Sequence, residues 1–523
     1  MARILVSEEL APAGLEALAR AGHEVDVQVG LTPDELISAV KGAAALIIRS
    51  ATQVTADLLD AAGDLVVVGR AGIGLDNVDT AAATARGVMV VNAPQSNILS
   101  AAEHTMALLL AQARNVPQAS NALKAGKWER SRWEGVELHG KTLGVIGLGR
   151  IGALVAQRAL AFGMRLVAYD PYVSPERARQ LGIELLSLDE LVAHADFITL
   201  HVAKSKETMG LVGRDLLAKA KPNLRVINVA RGGIVDEEAL AEAISSGRIA
   251  GAALDVFAIE PTTESPLFAL DEVVVTPHLG ASTREAQDKA GVTIAEQVVL
   301  ALAGEFVPFA VNVDASEASE TVRPFLALAE QLGRTFGAMT DALPDSLGVE
   351  YQGALADYDT RILTLALLKG MLSAVTHDAV SFVNAPQVAT ERGLTWREMK
   401  SPTSADYVNL VTVRGGGHSV AGTLAGPKSE PRIVMIDEHA VDLPPARNLL
   451  VVRNDDRPGM IGLVGTALGD AGLNILNMAI GQSPDAATAL MALSTAEEVP
   501  DSVLAQLRAT PGILDVAAVA QPA

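Results

Sequence analysis

The chain has 523 residues, 49% hydrophobic and 20% charged, with a formal net charge of −21 and no cysteine. At roughly 150 residues per domain this is too long for one core, and it is too apolar for a disordered chain. The acidic balance argues against nucleic acid or an anionic membrane as main partner, and the absence of cysteine removes disulfides, thiolate nucleophiles and cysteine-ligated metals.

The first segment, "MARILVSEEL", turns acidic at once. No uninterrupted apolar run nears the roughly 18 residues of a membrane span, so a soluble cytoplasmic protein without a metal is expected. Over the first hundred residues, short β-rich runs ("RILVS", "HEVDVQV", "ALIIRS", "LVVVGRAG", "VMVVNAP") alternate with alanine-rich helical stretches. That alternation predicts right-handed crossovers and a parallel sheet. A long helix is predicted over about 98–125.

The segment "LHGKTLGVIGLGRIGALVAQRALAFGMRLVAYDP" then runs strand, Gly147-Leu148-Gly149-Arg150-Ile151-Gly152, helix, strand and Asp170. Gly147 permits a tight turn, Gly149 lets backbone amides approach a pyrophosphate, and Gly152 lets the helix pack closely on the strand. Asp170 would accept from the adenosine ribose hydroxyls and repel a 2′-phosphate, which selects NAD over NADP.

Three later segments end apparent strands with chemistry-bearing residues: "VINVARGGIVDE" with Arg231, "LDVFAIEP" with Glu260 and "VVVTPHLGAST" with His278. Each alone also reads as a surface ion pair, a turn acid or a loop histidine. After 281 a helical stretch closes this region, and "NVDASEASE" over 312–320 reads as a linker. A third region mixes helices with strand-like "VSFVNAP", "YVNLVTV" and "PRIVMID". Its glycine-rich "RGGGHSVAGTLAGPK" reads either as an anion loop using Arg414, His418 and Lys428 or as a plain turn. The final region reads strand, helix, strand, strand, helix, strand, a ferredoxin-like βαββαβ order.

The ordered set "GLGRIG", Asp170, "NVARGGIVDE", "LDVFAIEP" and "TPHLGAST" resembles the NAD-dependent D-2-hydroxyacid dehydrogenases over residues 1 to about 312. The resemblance implies His278 as acid/base, Glu260 as its hydrogen-bonded orienter, and Arg231 as the holder of the substrate carboxylate and carbonyl. It places Arg150 and Ile151 at the pyrophosphate, Val229, Ala230 and Arg231 near the nicotinamide, Asp255 at its carboxamide, and His278, Leu279, Gly280 and Ala281 along the cofactor.

"LIIRSAT", "VVVGRAGIGLDNVD" and the C-terminal "RNDDRPGMIGLVGTALGDAGLNI" further resemble the long-form, phosphoglycerate-oxidising branch of that family. This implies D-3-phosphoglycerate as substrate, with Arg49 and Arg70 at its phosphate and the Gly72, Ile73 and Gly74 loop at its carboxylate. A basic residue in "AGKWERSRWEG", Arg132, would reach a neighbouring subunit's site.

It also implies a homo-oligomer, a tetramer, and an ACT-type domain that binds L-serine between subunits through Asn454, Asp456 and Asn474. The alternative for the ACT-type domain is dimerisation alone. The expected fold is α/β, two doubly wound parallel-sheet domains followed by an α+β intervening domain and the ferredoxin-like one. The expected boundaries are 1–97 with 283–312 for the substrate-binding domain, 98–282 for the NAD domain, 316–446 for the intervening domain and 448–523 for the last. The alternatives are a dehydrogenase for another small 2-hydroxy acid, or a non-catalytic NAD-sensing regulator.

Overall fold

The computed structural model describes residues 1–313, 319–340, 342–376, 380–482 and 488–520. The predicted linker over 312–320 therefore falls mostly outside the described residues.

The first sheet has five parallel strands in the order Glu24–Val27, Arg3–Val6, Ala45–Ile48, Val67–Arg70, Met89–Asn92. Its central strands are apolar at nearly every position because helices cover both faces. One of those helices, Arg284–Leu302, comes from far along the chain and lies against Gly69, where a β-carbon would meet Ile294 and Val298 side chains at 2.8 and 2.9 Å. The first sheet is thus completed by residues nearly two hundred positions later.

The second sheet has seven parallel strands, with Thr142–Ile146 flanked by Arg165–Tyr169 on one side and Phe197–Leu200 on the other. The strand order reverses at Thr142–Ile146, and ligands bind such sheets outside the carboxyl ends of the strands at that point. Both expected doubly wound domains are present. The third sheet is mixed and six-stranded, and the fourth is antiparallel with four strands in the order Ile475–Gln482, Thr488–Thr495, Asn448–Asp455, Ile513–Ala520. Together they share one core, in which Phe336 and Tyr351 are buried in the same cluster as Val451 and Ala517.

Three expectations are corrected. The helix over 98–125 is two helices, Ile98–Arg114 and Val116–Lys124, broken at Asn115 with φ 51°. Pro117 has no amide to continue a helix and sits instead in the first turn of the second, where none is needed. "VSFVNAP" is a turn leading into the helix Ala385–Glu391, because Asn384 Oδ1 accepts from the Ser381 amide at 2.8 Å and Pro386 favours a helix start. The glycine-rich segment is a hairpin of Asn409–Gly415 and His418–Ala425 around Gly416 and Gly417, both at positive φ. Its turn holds Arg414 and His418, the latter bonded to Asp437 at 2.8 Å, while Lys428 lies beyond the far end of the strand, roughly 25 Å away at 3.3 Å per residue. Lys428 therefore drops out of the anion loop, and the plain turn is the reading the hairpin favours.

Among the described residues no helix is long and apolar enough to cross a membrane.

Candidate active site

The glycine fingerprint folds as its spacing demands. Gly147 adopts φ 93°, and a β-carbon there would meet the His201 carbonyl at 2.6 Å. A β-carbon on Gly152 would collide with the Gly147 carbonyl, so a larger residue would push the helix off the strand. Gly149 has nothing within 4 Å of where its side chain would be. It precedes the helix Arg150–Ala161, whose first turn has no side-chain cap. That leaves orphan amides and open space where a pyrophosphate would lie. Asp170 ends the next strand and accepts from the Leu148 amide at 2.8 Å and the Tyr172 amide at 2.9 Å, tying the glycine turn to the strand end. Each of its oxygens keeps a lone pair for a ribose hydroxyl. These residues fit a dinucleotide.

Across the sheet edge, the strand Arg225–Asn228 delivers "VARGG". Asn228 is fully buried, accepts from the Ala230 amide at 3.0 Å and donates to the Arg231 carbonyl at 3.1 Å. It fixes the turn that carries Val229, Ala230 and Arg231. Arg231 Nε lies 3.5 Å from the Asp76 carboxylate, reaching across to the first sheet's loops. Gly74 makes room for it, since a β-carbon there would lie 2.7 Å from the guanidinium.

His278 Nδ1 is 2.6 Å from Glu260 Oε2, and the other Glu260 oxygen accepts from the Phe257 amide at 2.8 Å. The carboxylate is therefore held at both ends. With Nδ1 donating to Glu260, Nε2 is the ring nitrogen left for a substrate proton. The Glu260 hydrogen bond raises the His278 pKa above the ordinary imidazole value, with burial opposing. For Glu260, burial pushes upward, but the bonds from His278 and Phe257 outweigh it and hold the carboxyl below its usual range. Both shifts favour the ion pair.

His278 itself has φ 56°, a left-handed conformation that costs a residue with a β-carbon about 1 kcal/mol. Asp255 offsets that cost. Fully buried, it accepts from the Leu279 and Gly280 amides, both at 2.7 Å, and from the Thr276 hydroxyl at 2.6 Å; its own carbonyl accepts from the His278 amide at 2.9 Å. His104 Nε2, from the helix Ile98–Arg114, stands 3.2 Å from the same carboxylate. Asp255, expected at the nicotinamide carboxamide, is thus spent on anchoring the turn that carries His278. Gly280 is buried in that turn, and Ala281 lines the adjoining cavity.

That cavity, about 420 Å³, is lined by Arg49, Arg70, Gly72, Glu260 and His278 among others. Arg231 is not in its lining but lies near enough for its charge to be felt at both Arg70 and His278. Arg70 Nε is buried without a partner, and a side chain at Gly72 would run into the Arg70 guanidinium. Burial, and then the charge of Arg231, push the Arg70 pKa down to about 10. Asn92 donates to the Ile73 carbonyl at 2.8 Å and so fixes the 72–74 loop beneath.

Other expected residues lie elsewhere. Arg132 is paired with Asp271 at 2.6 Å and stacks on Trp133, so within one chain it is engaged. Asn454 is buried, with Oδ1 lacking a partner, and Asp456 accepts from Gln482 at 2.8 Å. Asn474 sits at the other end of the sheet, because Asn454 and Gln482 both pair with Ala489 whereas Ile475 pairs with Thr495. Roughly 20 Å of strand separates them, so no small ligand joins all three within one chain. Asn228 and His104 went unnoticed in the sequence, since a polar residue inside an apolar strand or helix signals burial without saying what it bonds.

Comparison with known proteins gives three family matches: D-isomer specific 2-hydroxyacid dehydrogenase, NAD binding domain, over 106–280; D-3-phosphoglycerate dehydrogenase intervening domain over 321–437; and ACT domain over 448–512. The chain is 52% identical over 507 residues to D-3-phosphoglycerate dehydrogenase of Mycobacterium tuberculosis, covering 96% of each chain. It is 42% identical over 525 residues to that of Methanocaldococcus jannaschii, covering 99% of this chain and 100% of the relative. Among solved structures, the TT0316 protein from Thermus thermophilus matches with a TM-score of 0.55 at 38% identity, over 59% of this chain and 99% of that one.

Proposed function

Since the chain belongs to the D-3-phosphoglycerate dehydrogenase family of D-isomer specific 2-hydroxyacid dehydrogenases, we propose that the cavity beside His278 is where D-3-phosphoglycerate is oxidised to 3-phosphohydroxypyruvate, with NAD as cofactor and L-serine synthesis as the product's destination. The observation that carries this most directly is Arg70: a half-buried cation with Nε sequestered, beside Arg49 and with no carboxylate bonded to either side chain among the described residues. A partly desolvated guanidinium with no carboxylate bonded to it, set near two further cations, is costly, and a dianionic phosphate relieves it. A simple 2-hydroxy acid, with one carboxylate for Arg231 and the 72–74 loop, would leave both arginines unpaired.

NAD, held by Gly147, Gly149, Arg150, Ile151, Gly152 and Asp170, supplies the hydride acceptor. Arg231 takes the substrate carboxylate in place of its loose contact with Asp76 and steadies charge on the C2 oxygen. His278 Nε2 removes the hydroxyl proton as the carbonyl forms, and Glu260 stabilises the resulting imidazolium. Val229, Ala230, Leu279, Gly280 and Ala281 are the residues that would hold the nicotinamide end when the cofactor is bound. In this division residues 1–97 with 283–312 bind substrate and 98–282 bind NAD. The enzyme works in the cytoplasm as a homo-oligomer, probed below by its regulation.

The oxidative direction needs neutral His278, so its rate rises with pH through the raised His278 pKa, while the reductive direction falls over the same interval. In Glu260→Gln the main cause of the raised value is gone. Both limbs are expected to move to lower pH in profiles of kcat/KM, with a loss of tenfold or more at the optimum; limbs that stay in place would contradict the pairing.

The segment 316–446 joins the catalytic part to the ACT domain of 448–523. Asn454 and Asp456 of one subunit and Asn474 of another form the serine site in this reading, which their separation of roughly 20 Å within one chain supports. Millimolar serine is expected to inhibit NADH formation and Asp456→Ala to relieve it; unchanged rates across that titration would leave the ACT domain an assembly module only.

A further inference from the structure

Glu8 takes no part in the chemistry above, yet its carboxylate occupies the point where the strand order of the first sheet reverses. It follows the strand Arg3–Val6, which pairs with Glu24–Val27 on one side and Ala45–Ile48 on the other. Glu8 Oε1 accepts from the Arg49 amide at 2.8 Å and the Thr52 amide at 2.9 Å, and Oε2 accepts from the Ala51 amide at 3.2 Å. From the other side, Asn77 donates to the carbonyls of Arg49 at 2.8 Å and Thr52 at 2.6 Å, and Ser7 Oγ lies 3.0 Å from Thr52 Oγ1. The turn that follows Ala45–Ile48 has its donors and acceptors taken from both faces.

We propose that Glu8 is a positioning residue that sets specificity for the phosphorylated substrate, clamping the backbone of the 49–52 turn so that Arg49 is presented to the cavity. This rests on reading Arg49 as a phosphate ligand. Amide bonds to a carboxylate are stronger than those to a neutral acceptor, and a base fixed in place leaves the long arginine side chain fewer directions in which to waste its charge. Glu8 also contributes negative potential at Arg70, where Arg49 and Arg231 contribute positive. It therefore helps three guanidinium groups stand together before an anion arrives. Glutamine at this position would lose the charge and set an amide donor against the turn's own amides.

The test compares reduction of 3-phosphohydroxypyruvate with reduction of hydroxypyruvate by the full-length enzyme. Glu8→Gln is expected to raise KM for the phosphorylated substrate about tenfold, with kcat within about twofold and hydroxypyruvate kcat/KM unchanged; Glu8→Asp recovers part of the loss. Adding Glu8→Gln to Arg49→Ala should cost little beyond Arg49→Ala alone. Equal losses on the two substrates, or a Glu8→Gln enzyme that discriminates as well as its parent, would overturn the proposal. If Arg49→Ala itself leaves discrimination intact, the phosphate reading of Arg49 fails instead. Should Glu8→Gln not fold, Asn77→Ala loosens the same turn from its other face, and the same KM-selective loss is required of it.

Discussion

His278→Ala is expected to lower kcat for D-3-phosphoglycerate oxidation by about two to four orders of magnitude while NAD binding, followed by quenching of protein fluorescence or by calorimetry, stays within a few-fold of the parent. The size follows from what the residue does in the structure. Its Nδ1 is committed to Glu260 at 2.6 Å, so the imidazole has one orientation and one nitrogen for the substrate. Loss of that nitrogen leaves the hydroxyl proton to water or to no acceptor. The cavity and the arginines are untouched, so substrate affinity should change little. A residual rate near that of the parent would mean that another group takes the proton. Among the described residues Glu260 is the only other carboxylate or imidazole lining the cavity, and a residual rate would point to it, since the variant frees its Oε2 from His278 while Oε1 stays bonded to the Phe257 amide.

Arg70→Ala is expected to reduce kcat/KM for the phosphorylated substrate by about a hundredfold or more, mostly through KM, and to leave hydroxypyruvate reduction within a few-fold. Two effects are separable here. Arg70 Nε is buried without a hydrogen-bond partner and the Arg231 and Arg49 charges stand near it, so removing the side chain should leave the melting temperature of the unliganded fold unchanged or raise it. Affinity and stability then move in opposite directions. A variant that loses both together would indicate that Arg70 is a structural ion-pair member and that the phosphate is bound elsewhere.

Much of this arrangement is legible in the sequence. The alternation of short apolar runs and alanine-rich stretches over the first hundred residues points to the first parallel sheet, and the glycine spacing to the strand–turn–helix in which Gly147 takes positive φ and Gly152 packs on the strand. What failed did so for local reasons. Pro117 breaks the long helix although apolar positions continue past it, and Asn384 captures the Ser381 amide so that "VSFVNAP" cannot extend as a strand. The glycine-rich segment is ambiguous in sequence because two adjacent glycines, here both at positive φ, suit a tight hairpin as well as an anion nest.

The proposed trio of Arg231, Glu260 and His278 rests on order along the chain together with resemblance, not on any residue alone. The structure brings His278 and Glu260 to bonding distance and leaves Arg231 beside, rather than within, the cavity wall. Its support was invisible in sequence. Asp255, Thr276 and His104 are separated by up to 172 positions, and nothing in a single sequence says that they meet beneath His278. The same holds for Glu8 and the turn 41 positions later that it clamps.

NADH formation from D-3-phosphoglycerate tests the central claim most directly, measured against D-glycerate and with NADP in place of NAD. The purified chain should oxidise D-3-phosphoglycerate with NAD, prefer it to D-glycerate by two orders of magnitude or more in kcat/KM, and turn over far more slowly with NADP because of Asp170. Equal rates with the phosphorylated and unphosphorylated acids, or no NADH at all, would contradict it.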